Sequence, residues 1–314
     1  MMRLSILIPT YNRADNVKDQ LSFINSLPDL PDVELEIVVG DNSDNSKTED
    51  YIRTNNFNNV KYYRNENNIG YGRNVLKCYK SATGDYLWLL GDKNYFDVNN
   101  YRNIVGLLHE KHDAVLIADK IGIIQKELFN DVDILVKDFG FRFSNLNCSI
   151  LSRDCKTILE NCLKYADLNF SHVAVILEYL CSLNHISVIW YQANIFKLRN
   201  SQTAYWRNNV FQVFAHDWFY TIMALPSKIS VSSKLICMRG QDTRYHIFSP
   251  YTILKSRILN TRHYSIKDLK NNREYIELTS FTTYWKSLIA IFIPVGLMRL
   301  LFQMCKILGF KKVL

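Results

Sequence analysis

Several polar side chains stand where a folded chain could use them for chemistry. Asp41 ends the apolar run VELEIVVG, which would hold its carboxylate at the rim of a sheet as a fixed acceptor. The surrounding GDNSD is also rich in turn formers, so a plain turn is the alternative. Arg73, in YGRNVLKCYKSA, could give two parallel hydrogen bonds to phosphate oxygens, or sit solvated on a helix. Asp92 follows a second apolar run, DYLWLLG, and is itself followed by Lys93 and Asn94. Its carboxylate and the Asn94 amide are hard oxygen ligands, whereas Lys93 carries positive charge of its own. Asp167 and His172, in YADLNFSH, are of types that move protons, with Glu178 close by and Asp217 further along. Each of these four, taken alone, reads more readily as a structural residue than as a catalytic one.

The elements that must position these groups alternate. LSILIP is a β-branched apolar run that Pro9 stops, and the polar stretch 10–16 follows. DNVKDQLSFINSL then has helical spacing at Val17, Leu21 and Ile24, with Asp15 as its cap. VELEIVVGD and NVKYYRN read as strands, YGRNVLKCYKSA as a helix that Gly84 closes, and DYLWLLGD as a fourth strand. Residues 99–111 read as a helix, with Asp97 either capping it or serving as an extra ligand, and DAVLIAD as a fifth strand. Such alternation predicts a parallel, doubly wound sheet with ligands at the carboxyl ends of its strands, where segments 10–13, 41–46 and 91–97 lie. NCSILSR reads as a further strand, and 155–165, 172–183 and 208–224 as helices.

In order and spacing, LSILIPTYNR, EIVVGDNSDN and NENNIGYGRNVLKCYKSATGDYLWLLGDKN resemble the family 2 glycosyltransferases of the GT-A fold, and within them bacterial enzymes that build O-antigen or capsule repeats. The resemblance covers residues 3 to about 115 well and the rest weakly. It implies an α/β, GT-A (Rossmann-like), mostly parallel sheet with helices on both faces; the basic, apolar C-terminus adds the expectation of a helical appendage that associates with membrane. It implies that Pro9, Thr10 and Tyr11 cradle a nucleotide base, that Asp41 accepts from the base imide, and that Asn68, Gly70 and Arg73 lie near the donor. It places clustered aspartates holding Mn²⁺ or Mg²⁺ where this chain has Asp92, Lys93 and Asn94. Three alternatives follow: an ion held by Asp92, Asn94 and the donor phosphates; Lys93 supplying the charge in place of the ion; or an inactive nucleotide-sugar-binding subunit of an assembly complex. An inverting transfer also needs a general base, for which Asp167 and then His172 are the candidates. The implied partners are a nucleoside-diphosphate sugar, a polyprenyl-diphosphate-linked glycan and the cytoplasmic face of a bacterial inner membrane. A dinucleotide oxidoreductase is disfavoured, because PTYNR stands where G-x-G-x-x-G would follow the first strand.

Composition fits this reading. Of 314 residues 48% are apolar, enough for a large core. The expected division is a catalytic domain over 1–235, with a nucleotide-sugar half at 1–115 and an acceptor half at 116–235, and a basic apolar region over 236–314. Residues 239–314 hold 13 Lys/Arg against 4 Asp/Glu, while residues 1–238 are nearly balanced at 25 against 26. A basic segment suits an acidic partner or is simply a solvated face. After Pro294, Arg299, Gln303 and Lys306 share one helical face, with Leu297, Leu300, Leu301, Met304 and Leu308 opposite, the pattern of a helix lying in a membrane interface or packed on a globular body. No secretory signal, membrane-spanning run or nucleic-acid-binding motif is expected. The seven cysteines lack C-x-x-C spacing and read as buried free thiols.

Overall fold

The computed structural model describes residues 1–30, 32–119, 125–193, 196–198 and 205–307. The chain forms two compact units, Met1–Ser201 with Leu225–Ile229, and Gln202–Ala224 with Ser230–Leu314. In the first unit the order is β1 (Met2–Thr10), α1 (Ala14–Asn25), β2 (Val33–Asp41), α2 (Lys47–Asn55), β3 (Val60–Arg64), α3 (Tyr71–Ser81), β4 (Tyr86–Leu89), β5 (Asn94–Phe96), α4 (Val98–His109), β6 (Ala114–Asp119), β7 (Gln125–Phe129), α5 (Val132–Phe139), β8 (Ser149–Ser152), α6 (Ser171–Ser182), β9 (Val188–Ala193) and β10 (Phe196–Leu198).

Eight strands make one sheet in the order β3-β2-β1-β4-β8-β6-β9-β7, and β5 pairs with β10 apart from it. β1 is buried from Leu4 onward because neighbours cover both its faces, which is why its sequence is apolar without alternation. β3, β2, β1 and β4 are all parallel, as the strand–helix alternation predicts. β8 then enters antiparallel between β4 and β6, so DAVLIAD does not pair with the fourth strand. The sheet is therefore mixed. Trp88, Phe96 and Tyr101 pack in the core beneath its centre, with the Trp88 and Phe96 ring centroids 4.8 Å apart.

Four local expectations are corrected. β1 runs through Pro9 to Thr10: the ladder to β4 stops at Leu7, so no β4 residue faces Pro9 to miss its N–H. Arg13, not Asp15, is the N-cap of α1. Gly84 does not close α3, which ends at Ser81; a Cβ at Gly84 would lie 2.4 Å from Ser5 Oγ, so glycine there serves a close approach to β1. Segment 155–165 is two short 3₁₀ turns, Arg153–Ile158 and Asn161–Tyr165, which bury Cys155, Ile158, Cys162 and Tyr165. Asp97 caps α4 by accepting from the Asn99 N–H at 2.9 Å.

The second unit is helical: a π-helical segment Gln212–Asp217, then α7 (Trp218–Met223), α8 (Val231–Tyr245), α9 (Pro250–Leu259), α10 (Ile266–Asn271), α11 (Arg273–Thr279), α12 (Tyr284–Phe292) and α13 (Val295–Ile307). Phe211, Phe248, Tyr264, Leu269 and Ile276 centre its core. Pro294 separates the last two helices. Among the described residues no helix is long and apolar enough to cross a membrane. Cys78, Cys148, Cys155, Cys162 and Cys237 are buried free thiols.

Candidate active site

The strand order changes direction at β1, whose neighbours are β2 and β4. Such a switch point opens a crevice at the carboxyl ends of the strands. Thr10, Asp41 and Arg64 are register partners at the ends of β1, β2 and β3, and Asp92 follows the end of β4.

The loops after β1 and β2 are bound into one surface. Asn12 takes a left-handed φ of 54°, which an asparagine tolerates, and this turns its side chain toward the β2 loop. The Asn12 N–H donates to Ser43 Oγ at 2.8 Å and its amide to Asp44 Oδ2 at 3.0 Å, while its carbonyl oxygen accepts from the Asp44 N–H and the Asn45 amide. The half-exposed Tyr11 donates its hydroxyl to the same Asp44 oxygen at 3.1 Å.

Asp41 is 0% exposed. Its Oδ1 accepts from the Ser43 N–H at 2.8 Å and from the Ser43 hydroxyl, and its Oδ2 accepts from the Tyr62 hydroxyl at 3.1 Å. Burial first, and the Asp41 charge second, push the Tyr62 phenol up, which keeps it a donor. The carboxylate thus braces the loop. The exposed acceptor beside it is Asp44.

The NENNIG segment is held from beneath by amides. Asn65 donates to the side-chain oxygens of Asn42 and Asn74 at 2.7 and 3.1 Å, and Asn74 donates to the Gly40 carbonyl at 2.7 Å. The Asn68 side chain accepts from the Gly70 N–H at 3.0 Å, and the Gly70 carbonyl accepts from the Asn42 amide. Gly70 has φ 85°, a left-handed value that favours glycine, and it is the N-cap of α3. Asn68 and Gly70 therefore shape the turn that aims Arg73.

Arg73 meets Asp167 through a two-toothed fork: Nε and Nη2 to Oδ1 at 3.2 and 3.0 Å, and Nη2 to Oδ2 at 3.0 Å. The pair is open to solvent, at 48% and 81% exposure. Gly72 makes this meeting possible, since a Cβ there would lie 2.3 Å from the Ala166 carbonyl oxygen.

His172 is buried. Its Nε2 donates to the Phe143 carbonyl at 3.1 Å and its Nδ1 accepts from the Tyr71 hydroxyl at 3.1 Å. Burial drives its pKa down to about 4, so the ring is neutral at pH 7 with both nitrogens committed. That geometry fits a part in positioning Tyr71, and not the acid–base part its residue type suggests. Glu178 is likewise enclosed, accepting from the Tyr165 hydroxyl at 2.7 Å and pairing with Lys164. Asp217 belongs to the second unit, where it accepts from Gln212 and pairs with His216.

Asp92 is 5% exposed, and both its oxygens are engaged. Oδ2 accepts from the Thr10 hydroxyl at 3.0 Å and Oδ1 from Arg13 Nη1 at 3.2 Å. Lys93 and Asn94 are half-buried, and the Asn94 carbonyl accepts from the Gln20 amide at 2.9 Å. Mg²⁺ and Mn²⁺ take several hard oxygens, usually from one or two carboxylates plus substrate phosphates. Here each oxygen of the one carboxylate already accepts one hydrogen bond, from a hydroxyl and from a cation, and an ammonium is next in the chain. Among the described residues no three His, Cys, Asp or Glu side chains gather as ligands. One carboxylate already paired with a cation is a poor seat for a resident divalent ion.

Sequence reasoning missed Arg13, Asp44 and Tyr62. The first two lie inside the quoted motifs PTYNR and GDNSDN, where alternating loop polarity was the available signal.

Residues 5–163 match the family described as Glycosyl transferase family 2. Over 140 residues, 44% of the chain, the sequence is 31% identical to the abequosyltransferase RfbV of Salmonella typhimurium, across 36% of that protein. Over 127 residues, 39% of the chain, it is 26% identical to the poly(ribitol-phosphate) β-N-acetylglucosaminyltransferase TarS of Staphylococcus aureus, across 22% of that protein. The chain thus spans about a third or less of these curated relatives. Among solved structures, S. aureus TarS residues 1–349 superpose with a TM-score of 0.55 at 19% identity, covering 88% of this chain and 81% of that one. The mannosyltransferase PcManGT of Pyrobaculum calidifontis, in complex with GDP-Man and Mn²⁺, superposes with a TM-score of 0.56 at 14% identity, covering 95% and 87%. At these identities the likeness shows the fold.

Proposed function

The chain belongs to glycosyl transferase family 2, and on that premise we propose that it moves a sugar from a nucleoside-diphosphate donor to a lipid-linked glycan in one inverting displacement. The observation that carries this reading is the junction of Thr10 and Arg13 with Asp92 across the β1/β4 crevice, where an open α/β sheet takes its ligands. The similarity to RfbV supports a surface-polysaccharide setting.

In this reading Pro9, Thr10 and Tyr11 line the base, and Asp41 holds the β2 loop against it. Asn68 and Gly70 fix the turn before Arg73. Asp92 and Lys93 face the diphosphate side. The acceptor hydroxyl oxygen attacks the anomeric carbon as the bond to the diphosphate oxygen breaks, and Asp167 takes the hydroxyl proton. Arg73 holds Asp167 before donor arrives. A diphosphate competes for the same fork, and its arrival frees the carboxylate to act as the base.

The second unit carries an exposed apolar face of its own. Trp285, Ile289 and Phe292 form one stripe of α12 and are each at least 60% exposed, and Leu297, Leu300 and Met304 are exposed on α13. With Lys286 and Arg299 these helices have the character of a segment lying in an anionic membrane interface, beside a polyprenyl-diphosphate acceptor. The site of action would be the cytoplasmic face of a bacterial inner membrane.

The experiment is release of nucleoside diphosphate from a panel of nucleotide sugars, with and without lipid-linked acceptor from bacterial membranes. Acceptor-dependent release supports transfer. Donor binding with no release under any condition would instead support a non-catalytic binding subunit. Removal of residues 284–314 is expected to abolish co-sedimentation with anionic liposomes, and retained sedimentation would refute the membrane assignment.

A further inference from the structure

The end of β4 carries its own cation. Arg13 lies across the crevice from β4, its guanidinium 3.2 Å from Asp92 and its side chain 23% exposed. Asp92 is the partner seen for it among the described residues, and that bond uses one of five N–H donors. The carboxylate it meets is held from the other side by Thr10, so the guanidinium is anchored at a fixed place. α1 begins directly after Arg13 with no side-chain cap, and Asp15 in its first turn offsets part of the positive field of that helix end. Each Asp92 oxygen already accepts one hydrogen bond, its charge is paired with Arg13, and the next residue is Lys93.

We infer that Arg13, anchored on Asp92, binds the donor diphosphate in the place a divalent ion would take, so that this chain binds its donor without metal. The inference rests on the donor reading above and deepens it: the leaving diphosphate is neutralised by protein cations. Asp92 then serves as the anchor of Arg13. A guanidinium suits this task because it delivers parallel hydrogen bonds to phosphate oxygens at fixed geometry. It also keeps its charge at any working pH.

The test is calorimetric binding of UDP, CDP, GDP and dTDP, and of the matching nucleosides, to the full chain in EDTA and in MnCl₂. The expected result is that the nucleotide that binds does so equally in both. Arg13→Gln should weaken its affinity by ~10- to 100-fold, the range for a hydrogen bond to a charged group, while leaving the nucleoside unaffected. Arg13→Lys should recover part of the loss. Because Arg13→Gln leaves a buried carboxylate unpaired, the double variant Arg13→Gln with Asp92→Asn keeps the site neutral and provides the same readout if the single variant unfolds. Tighter binding to the wild type in Mn²⁺, or an unchanged diphosphate affinity in Arg13→Gln, would overturn the inference while leaving the donor reading intact. If none of the four diphosphates binds in either buffer, the donor reading falls and the inference falls with it.

Discussion

Two regions of the first unit hold their carboxylates differently. At the ends of β2 and β4, Asp41 and Asp92 are 0% and 5% exposed, and each is held by more than one donor: Ser43 and Tyr62 for the first, Thr10 and Arg13 for the second. At the start of α3, Arg73 forms one solvent-open pair with Asp167. Buried, fully bonded carboxylates keep one arrangement, since each lost partner leaves a desolvated group unpaired. An exposed ion pair contributes about 0–1 kcal/mol and is easily exchanged for another. A transferase can use both: a preformed seat for a nucleotide, and a contact that yields when diphosphate arrives.

This contrast can be broken most forcefully at Asp167. Asp167→Asn should lower turnover by ~10²- to 10⁴-fold, the range for a lost general base, while the unfolding midpoint in urea barely moves. Comparable turnover in the variant would remove Asp167 from the chemistry. Asp41→Ala should do the reverse, reducing stability by about 2–4 kcal/mol by stranding the Tyr62 hydroxyl and Ser43 N–H groups, and reducing donor affinity through the loosened loop. A stable variant with normal affinity would show that the brace is unimportant.

The buried His172 gives a pH test. Its folded pKa lies below the ordinary value, so the unfolded chain binds the extra proton between about pH 6.5 and 4. Stability contributed by the neutral ring is complete above that window and is lost as pH falls through it, by an amount on the order of 3 kcal/mol. Urea midpoints across the window should slope for the wild type and flatten in His172→Gln. Equal slopes would place the titration elsewhere. Gly72→Ala should cost about 1–3 kcal/mol, because the new Cβ must push α3 away from the Ala166 carbonyl, and it should slow turnover by shifting Arg73 from Asp167. The smallest effect is expected for Arg73→Ala on stability, at most about 1 kcal/mol.

How legible this was in the sequence depended on range. The parallel half announced itself because LSILIP and EIVVG are local apolar runs whose helices follow at once. The insertion of β8 between β4 and β6 did not, since nothing within SILS names its neighbours. The 155–165 segment shows apolar residues at helical spacing, yet folds as two 3₁₀ turns that bury the same residues. Asp41, Arg73, Asp92 and Asp167 were visible as residue types in motifs. Their partners were not, because Arg13 meets Asp92 across 79 positions and Arg73 meets Asp167 across 94. The enclosure of His172 by Phe143 and Tyr71 is likewise a tertiary fact, and it changes the chemistry the residue can do.

The crevice at the ends of β1, β2 and β4 is proposed to seat a nucleoside-diphosphate sugar. Its most direct test is a binding screen of UDP-, dTDP-, GDP- and CDP-sugars against the wild type and Thr10→Val, which removes the hydroxyl on Asp92 with little change of shape. Saturable binding of one base class, weakened by that substitution, is the expected result. Binding of none of the four, or binding indifferent to Thr10→Val, would contradict it.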